Sequence, residues 1–276
     1  MSGRNYVNVE NFCISYDCSQ KKPESLDIRH CHESYEILYV INGSGRYIVE
    51  GREYPVRPRS LIVIPPLKYH CVDLDSDAPY DRYVVHFNAS DLTQDIQKQL
   101  SLIFDEEDGV GCFYSAESIS PLINSLFERF ESCDFLAAKE KEMYAKLIIS
   151  EMILLLSVAN KEKIPFDEAE LGARVIRYLN EHIDKDISLD KLAKKFFVSK
   201  YYLCRAFKSH NGISVHGYIN QKRVMYAKQL IESGETASGA AYKVGFGDYS
   251  AFYRAYVKIV GRSPTSQEKG GRSNES

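Results

Sequence analysis

One local pattern occurs twice in this chain, and few sequence features constrain a fold more tightly than an internal repeat. The first copy is Ser199-Lys200-Tyr201-Tyr202-Leu203-Cys204-Arg205-Ala206-Phe207-Lys208, followed by Gly212-Ile213-Ser214. The second is Asp248-Tyr249-Ser250-Ala251-Phe252-Tyr253-Arg254-Ala255-Tyr256, followed by Gly261-Arg262-Ser263-Pro264. An offset of 49 (254 − 205) carries Arg205 onto Arg254, and the same offset carries Ser199 onto Asp248, Leu203 onto Phe252, Phe207 onto Tyr256 and Gly212 onto Gly261.

Each copy has the grammar of a short helix. Ser199 and Asp248 suit the N-cap, where a side-chain oxygen accepts from the free amides of the first turn. Leu203, Ala206 and Phe207 share one face, as do Phe252, Ala255 and Tyr256. Gly212 and Gly261 read as stop signals. Upstream of each copy lies a second short helical pattern, Leu189, Leu192, Ala193, Phe196 in one case and Ala237, Ala240, Ala241, Val244 in the other. Helix, tight turn, helix with an arginine on the outer face is the helix-turn-helix plan. The copies match less well at the turn, where the offset slips by about one residue.

The repeat lies in a basic half. From Glu170 onward there are 18 Lys and Arg against 10 Asp and Glu, a net of +8. Residues 1–169 therefore hold 35 − 18 = 17 basic and 38 − 10 = 28 acidic groups, a net of −11. Such segregation suits a basic module that meets a polyanion and an acidic module with another task. The seven cysteines (13, 18, 31, 71, 112, 133, 204) are an odd number with no Cys-x-x-Cys pair. No disulfide framework or Cys-rich zinc site is expected, and the usage fits a reducing, cytoplasmic setting. No apolar run is long enough to span a membrane, and the first residues lack the apolar core of a signal peptide.

Residues 1–110 read as β: short apolar or alternating runs at 35–41, 46–49, 52–56, 60–64 and 83–87 are separated by turns such as Asn42-Gly43-Ser44-Gly45, Glu50-Gly51 and Pro65-Pro66. The spacing predicts an antiparallel barrel or sandwich. The period then changes. Over 117–160, Ile119, Leu122, Ile123, Leu126, Phe127 and Phe130 recur at helical spacing. A second helix, about 135–158, carries Tyr144, Leu147, Ile148, Glu151, Met152 and Leu155 on one side. Its run Ile153-Leu154-Leu155-Leu156 is apolar nearly all round, so it is buried either in its own domain or against a second copy of the chain. Residues 161–170 read as a linker. Residues 171–267 read as all-helical, with a leading helix at about 171–182 and a long helix at about 215–232 between the two helix-turn-helix units. The tail from Glu268 is Gly- and Ser-rich and reads as disordered.

These words together resemble a known family. Val244-Gly245-Phe246, Asp248-Tyr249-Ser250, Phe252, Arg254 and Gly261-Arg262-Ser263-Pro264, with Ser199, Leu203, Phe207, Lys208, Gly212, Arg223 and Ala227, look like the C-terminal domain of AraC/XylS-type transcriptional regulators. The resemblance implies an α+β multidomain protein: a cupin-like antiparallel β-barrel that binds an effector (1–110), a helical dimerisation segment (117–160), a linker (161–170) and a double helix-turn-helix domain (171–267). Ala240, Cys204 and Tyr256 depart from the family's usual choices, which bears on base preference rather than on fold.

Carried over residue by residue, the resemblance implies base-facing positions at Tyr201, Cys204 and Arg205 in one unit and Tyr249, Ser250, Tyr253 and Arg254 in the other. Arginine suits guanine O6 and N7 through its planar fork. Lys200 and Lys208 suit phosphates, which position without specifying. Two such helices would enter successive major grooves, about 34 Å apart. The implied partners are promoter DNA, RNA polymerase if the protein activates, a sugar or carboxylate-like effector and a second copy of the chain.

In the N-terminal half, His30-x-His32-x3-Glu36-x6-Gly43 fits the first metal motif of cupins, and Pro65-x4-His70 partly fits the second, although Arg59 and Leu67 stand where glycines would be. Two imidazoles and a carboxylate, with His70 as a fourth donor, could hold a first-row metal. They could equally line a pocket for an organic effector or satisfy one another. No cofactor is expected beyond such a divalent metal. Tyr39, Tyr47, Tyr54 and Arg46 are further pocket candidates, since stacking faces and a fork donor suit sugars or carboxylates. The main expectation is a DNA-binding regulator and not an enzyme; the rival is a metal-dependent cupin enzyme with an appended helical domain.

Overall fold

A computed structural model of the protein describes residues 2–9, 12–19, 30–75, 79–104, 110–119, 121–133, 135–164 and 170–266. The chain divides into two units, Met1–Asp167 and Glu168–Ser276. The tail from Glu268 and residues 165–169 of the expected linker lie outside the described residues. Among the described residues no helix is long and apolar enough to cross a membrane.

The first unit runs β1 (Ser2–Val9), β2 (Phe12–Ser19), β3 (Tyr35–Asn42), β4 (Gly45–Val49), β5 (Arg52–Val56), β6 (Leu61–Ile64), β7 (His70–Leu74), β8 (Tyr80–Phe87), α1 (Gln94–Ile103), β9 (Cys112–Tyr114), α2 (Pro121–Glu131) and α3 (Ala138–Val158). The strands form two antiparallel sheets, β1-β2-β8-β3-β6-β9 and β5-β4-β7. Side chains alternate across a pleated strand, and here both sides of the larger sheet are covered. On β3, Ile37 and Tyr39 join a core with Phe127, Phe130, Ile148 and Met152 of the helices. Leu38 and Val40 join a second core with Tyr47, Val49, Val72 and Leu74 of the smaller sheet. This second core lies between the sheets, and Glu36 shares the face of Leu38 and Val40. Gly45 is required where β4 starts: its φ is 146°, and a Cβ there would lie 2.4 Å from the Asp73 carbonyl oxygen across the β4–β7 pair. The β4–β5 hairpin turns on Glu50 (φ 49°) and Gly51 (φ 80°), a pair of positive-φ residues of the kind two-residue hairpins favour.

Several expectations need correcting. Helix α1 lies inside the span read as β. Leu100 and Ile103 are buried there, with Ile96 packed beside them at helical spacing, and polar residues fill the positions between. On α3 the buried residues are Ala145, Ile148, Ile149, Met152, Ile153 and Leu156, whereas Leu147 and Glu151 face outward. A helix apolar nearly all round gives spacing nothing to choose a face by. Helices α2 and α3 share one core with β3 and β8 instead of standing as a separate segment. Residues 161–162 are not free linker, because Glu162 bridges to Phe113 of β9.

The second unit comprises α4 (Leu171–Glu181), α5 (Leu189–Lys195), α6 (Lys200–Asn211), α7 (Val215–Glu232), α8 (Ala237–Lys243) and α9 (Tyr249–Val260). Ser188, Ser199, Ser214, Thr236 and Asp248 all cap helix N-termini through their side chains, and Gly212 (φ 68°) and Gly261 (φ 79°) end α6 and α9 in the left-handed conformation. Leu203 and Phe252, like Phe207 and Tyr256, are buried at equivalent places. The slip in the repeat is now located. Leu192 and Ala240 stand 48 apart, Leu203 and Phe252 stand 49 apart, and the second turn (Val244-Gly245-Phe246-Gly247) is one residue longer than the first (Phe196-Phe197-Val198).

At matching places in the two turns stand Phe197 (φ 56°) and Gly245 (φ 92°). Phe197 is 95% exposed, so its ring packs on nothing that would offset the left-handed backbone. Phe197→Gly should stabilise the unit by roughly 0.5–1 kcal/mol, the relief of about 1–2 kcal/mol less the extra backbone entropy of glycine. A thermal midpoint that falls instead would mean that the turn does not strain Phe197.

Candidate functional site

Backbone hydrogen bonds assemble the cluster in the first unit. His30 and His70 exchange both of theirs (His30 N to His70 O 3.0 Å, His70 N to His30 O 2.9 Å), and Leu67 N donates to His32 O at 2.8 Å. The segment holding His70 is fixed in turn by Glu50, whose N–H donates to Tyr69 O at 2.8 Å and whose carboxylate accepts from Tyr69 N at 2.7 Å. His30 and His32 are thereby laid along the start of β7. Glu36 projects from β3 into the space between the sheets. The ligand atoms of His30, His32, Glu36 and His70 all lie within 4.8 Å of one another. Glu36 Oε2 sits 2.9 Å from His32 Nε2 and 3.0 Å from His70 Nε2. His70 Nε2 nevertheless has no hydrogen-bond partner, so its close approach to the carboxylate is off the hydrogen-bond direction.

Glu36 and His70 are almost fully buried, while His30 is exposed and His32 stands between. Burial pushes the Glu36 carboxyl up, but the charge of the closely facing His70 and the hydrogen bond of His32 outweigh it and hold it well below the usual carboxylate range. Burial pushes the His70 imidazole down, and the facing Glu36 charge more than reverses this. His86 is the neighbour that sequence reasoning missed. It pairs with Glu36 across β3–β8, its ring lies 4.7 Å from that of His32, and burial lowers its pKa despite the Glu36 charge. The signal was present in Val84-Val85-His86-Phe87: Val85 and Phe87 face the helices, so His86 must face the other way.

Two pocket candidates are displaced. Tyr39 lies on the helix side of the sheet, stacked on Phe127 at 4.9 Å with its hydroxyl bonded to Asn124. Arg46 is half exposed on the outer face of β4 and pairs with Glu53 (3.0 Å) and Asp73 (2.9 Å). The pleat that buries Tyr47 and Val49 turns Arg46 outward. Tyr47 and Tyr54 do lie between the sheets, with the Tyr54 hydroxyl on the Gly111 carbonyl at 3.2 Å. On the same inner face stand Tyr80 and Arg82 of β8. The hydroxyls of Tyr47 and Tyr80 and the Nη1 of Arg82 are buried without a hydrogen-bond partner.

In the second unit, α6 presents Lys200, Tyr201, Arg205 and Lys208 to solvent, with Cys204 partly covered; α9 presents Ser250, Tyr253 and Arg254. Tyr249 is half-buried against Phe252 at 5.7 Å, so it belongs more to the core than to the outer face. Tyr202, not anticipated, is exposed. Lys200 pairs with Asp190 at 3.0 Å, an exposed ion pair worth about 0–1 kcal/mol and easily exchanged for another anion. Among the described residues Arg205 and Arg254 have no ion pair or hydrogen bond.

Behind these helices one arginine ties the unit together. Arg223 of α7 is buried and donates from Nε to Ile183 O (2.8 Å), from Nη1 to Gly245 O (2.7 Å) and from Nη2 to Lys185 O (2.6 Å). It joins the loop before α5 to the turn before α9.

Residues 19–147 match the model of the AraC-like ligand binding domain, and residues 192–269 match that of a helix-turn-helix domain. Over 255 residues the chain is 22% identical to the HTH-type transcriptional activator RhaS of Citrobacter koseri, covering 90% of each. It is 24% identical over 248 residues to the uncharacterized HTH-type transcriptional regulator YbfI of Bacillus subtilis, covering 80% of this chain and 79% of that one. Among solved structures, ToxT of Vibrio cholerae is similar over 92% of this chain and 95% of its own, at 14% identity and a TM-score of 0.38. A ligand-binding domain matched in the first unit and a helix-turn-helix domain matched in the second, with relatives named as HTH-type transcriptional regulators over 80–90% of this chain, make the chain a transcription regulator of the AraC/XylS type.

Proposed function

We propose that this regulator acts in the cytoplasm and reads promoter DNA with α6 and α9. A small molecule held between the two sheets would control it, and it would work as a homodimer that meets RNA polymerase when it activates. The observation that carries the DNA reading is the repeat of Arg205 and Arg254 at equivalent, exposed positions in a basic unit, neither with a partner among the described residues. A guanidinium free of intramolecular partners is available to a guanine edge. The test is a gel-shift titration with a duplex selected from a random pool by the full chain. Binding should weaken steeply with salt, as counterion release requires. The absence of any salt-sensitive attachment to duplex DNA would remove the reading.

The effector reading is supported by the buried, unpartnered hydroxyls of Tyr47 and Tyr80 and by the Arg82 guanidinium, 4.6 Å from the Tyr80 ring. Arg82, not Arg46, lies on the inner face; its Nη2 pairs with Asp17 at 3.4 Å and its Nη1 is buried without a partner. An apolar space with a few convergent polar groups is the usual form of a small-molecule site, and these groups suit a sugar or a carboxylate. A ligand can shift operator binding only by its differential affinity for two states. Operator affinity that stays constant across a panel of sugars and carboxylates would argue against control of this kind. The rival enzyme reading gains nothing from the full-length relatives, which are transcription regulators.

Dimerisation is supported by the outer face of α3. Met143 (63% exposed), Leu147 (62%), Leu154 (48%) and Val158 (77%) follow one another at helical spacing, a stripe of large apolar side chains that a monomer would leave in water. Leu147→Glu with Leu154→Glu should turn a dimer into a monomer in light scattering at micromolar concentration without loss of helix content. A variant as dimeric as the wild type would exclude α3 as the interface.

A further inference from the structure

We propose that His30, His32, Glu36 and His70 form a binding site for one divalent transition-metal ion, which fastens the two sheets of the first unit to each other. Their donor atoms already lie within 4.8 Å of one another. The contacts from Glu36 Oε2 to His32 Nε2 and His70 Nε2, 2.9 and 3.0 Å, are close to the edge of roughly 3.4 Å between donors that share a metal at about 2.0–2.1 Å.

The imidazoles are also oriented as ligands. His32 Nδ1 lies 2.9 Å from the Ser34 carbonyl oxygen, and His70 Nδ1 lies 2.8 Å from that of Lys68. A carbonyl oxygen only accepts, so each Nδ1 carries a hydrogen and each Nε2 faces the centre, where an ion would take the place of any proton it holds. Tethering the far nitrogen to a backbone carbonyl is the usual way a protein fixes a metal-binding histidine. His70 Nε2, in a nearly fully buried side chain, is aimed at that centre and has no hydrogen-bond partner there. The backbone is held before any ion arrives, through the His30–His70 bridge and the Leu67 N to His32 O bond.

The donor set states which ions fit. Three imidazoles and one carboxylate suit Mn, Fe, Co, Ni or Zn as divalent ions, whereas Mg and Ca prefer oxygen throughout. The ligands come from β3 of the larger sheet, from β7 of the smaller one and from the segment bridged to it. An ion bound there would therefore oppose separation of the sheets.

The test uses the full chain without a histidine tag, stripped with a chelator and titrated with Co(II), read by visible d–d absorption and by the thermal midpoint of the first unit. One equivalent should saturate the signal, and at a hundredfold excess over Kd the midpoint should rise by about 5–10 °C. Mg(II) in millimolar excess should neither compete nor stabilise. His70→Ala should abolish the spectrum. His32→Ala, at the partly exposed edge, keeps the buried Glu36–His70 pair and should weaken binding at least about 100-fold, beyond the 10–100-fold typical of losing an outer-shell partner. No saturable binding by the wild type, or binding that His32→Ala leaves unchanged, overturns the proposal. Duplex binding measured on the same samples reports the second unit separately, so a failed metal site is distinguishable from a failed regulator.

Discussion

The double substitution Arg205→Ala with Arg254→Ala is expected to lower affinity for a selected duplex by roughly 30-fold to 10⁴-fold. One bidentate arginine–guanine contact discriminates by about 1–3 kcal/mol. Contributions from well-separated base positions add. Two arginines therefore carry roughly 2–6 kcal/mol between them, and either single variant should lose about half of that. Both side chains are exposed, and among the described residues neither has a partner in the fold, so circular dichroism and the thermal midpoint should not change. The loss should be specific: affinity for a scrambled duplex should fall far less. Lys208→Ala provides the contrast, since a phosphate contact carries no sequence information. It should weaken both duplexes alike and reduce the salt slope by about one. Equal losses on selected and scrambled DNA for the arginine variants would turn Arg205 and Arg254 into phosphate contacts.

Arg223→Ala is expected to destabilise the second unit by about 3 kcal/mol. Its three donors satisfy the carbonyls of Ile183, Lys185 and Gly245 at 2.6–2.8 Å. A hydrogen bond to a charged donor contributes about 1.5–3 kcal/mol, and truncation also leaves its carbonyl partners to find water. The guanidinium is not wholly sealed from solvent and its carbonyl partners can re-solvate in part, which keeps the estimate below the sum of about 4.5–9 kcal/mol. For a unit of this size the midpoint should drop by roughly 10–20 °C. Arg223→Lys should recover little, because one ammonium on a flexible stem cannot reproduce a planar three-way clamp. Gly245 belongs to the same device: a Cβ there would lie 2.8 Å from the Asp184 carbonyl oxygen and 2.9 Å from Arg223 Nη2. Calorimetry of the full chain should show the second transition shifted and the first unchanged. A shift under about 2 °C would mean that the carbonyls re-solvate without cost and that the clamp is incidental.

Much of the second unit could be read from the chain. Its helices are short and amphipathic, with caps that are local chemistry: Ser199 and Asp248 act within three residues, and Gly212 and Gly261 supply a left-handed stop without help from any distant group. The exposed sides of α6 and α9 followed largely from spacing; the exceptions are Tyr202, which is exposed although not anticipated, and Tyr249, whose half-buried ring packs on Phe252 of the same helix. The role of Arg223 did not follow, since its partners lie 22 to 40 positions away.

The first unit divides differently. Periodicity gave the strands β3 to β6 and β8, and the spacing of His30, His32, Glu36 and His70 named four side chains that the fold brings together. Spacing could not say which side of a sheet covered on both faces is which, so Tyr39 and Arg46 were grouped with Glu36 although the pleat sends them elsewhere. For the same reason the inward facing of His86, Tyr80 and Arg82 is set only by the pairing of β8 with β3.

By itself, then, the sequence determined the features that act over a turn or two: the repeat, the caps, the strand alternation, the charge split and the types of residue gathered near position 30. Tertiary structure alone decided which face of α3 is buried, which tyrosines and arginines look inward, and where the Arg223 donors go. Local features depend on neighbours fixed by covalent spacing, whereas facing and partnering depend on surfaces that meet only when distant segments pack, and no period in the chain encodes that meeting.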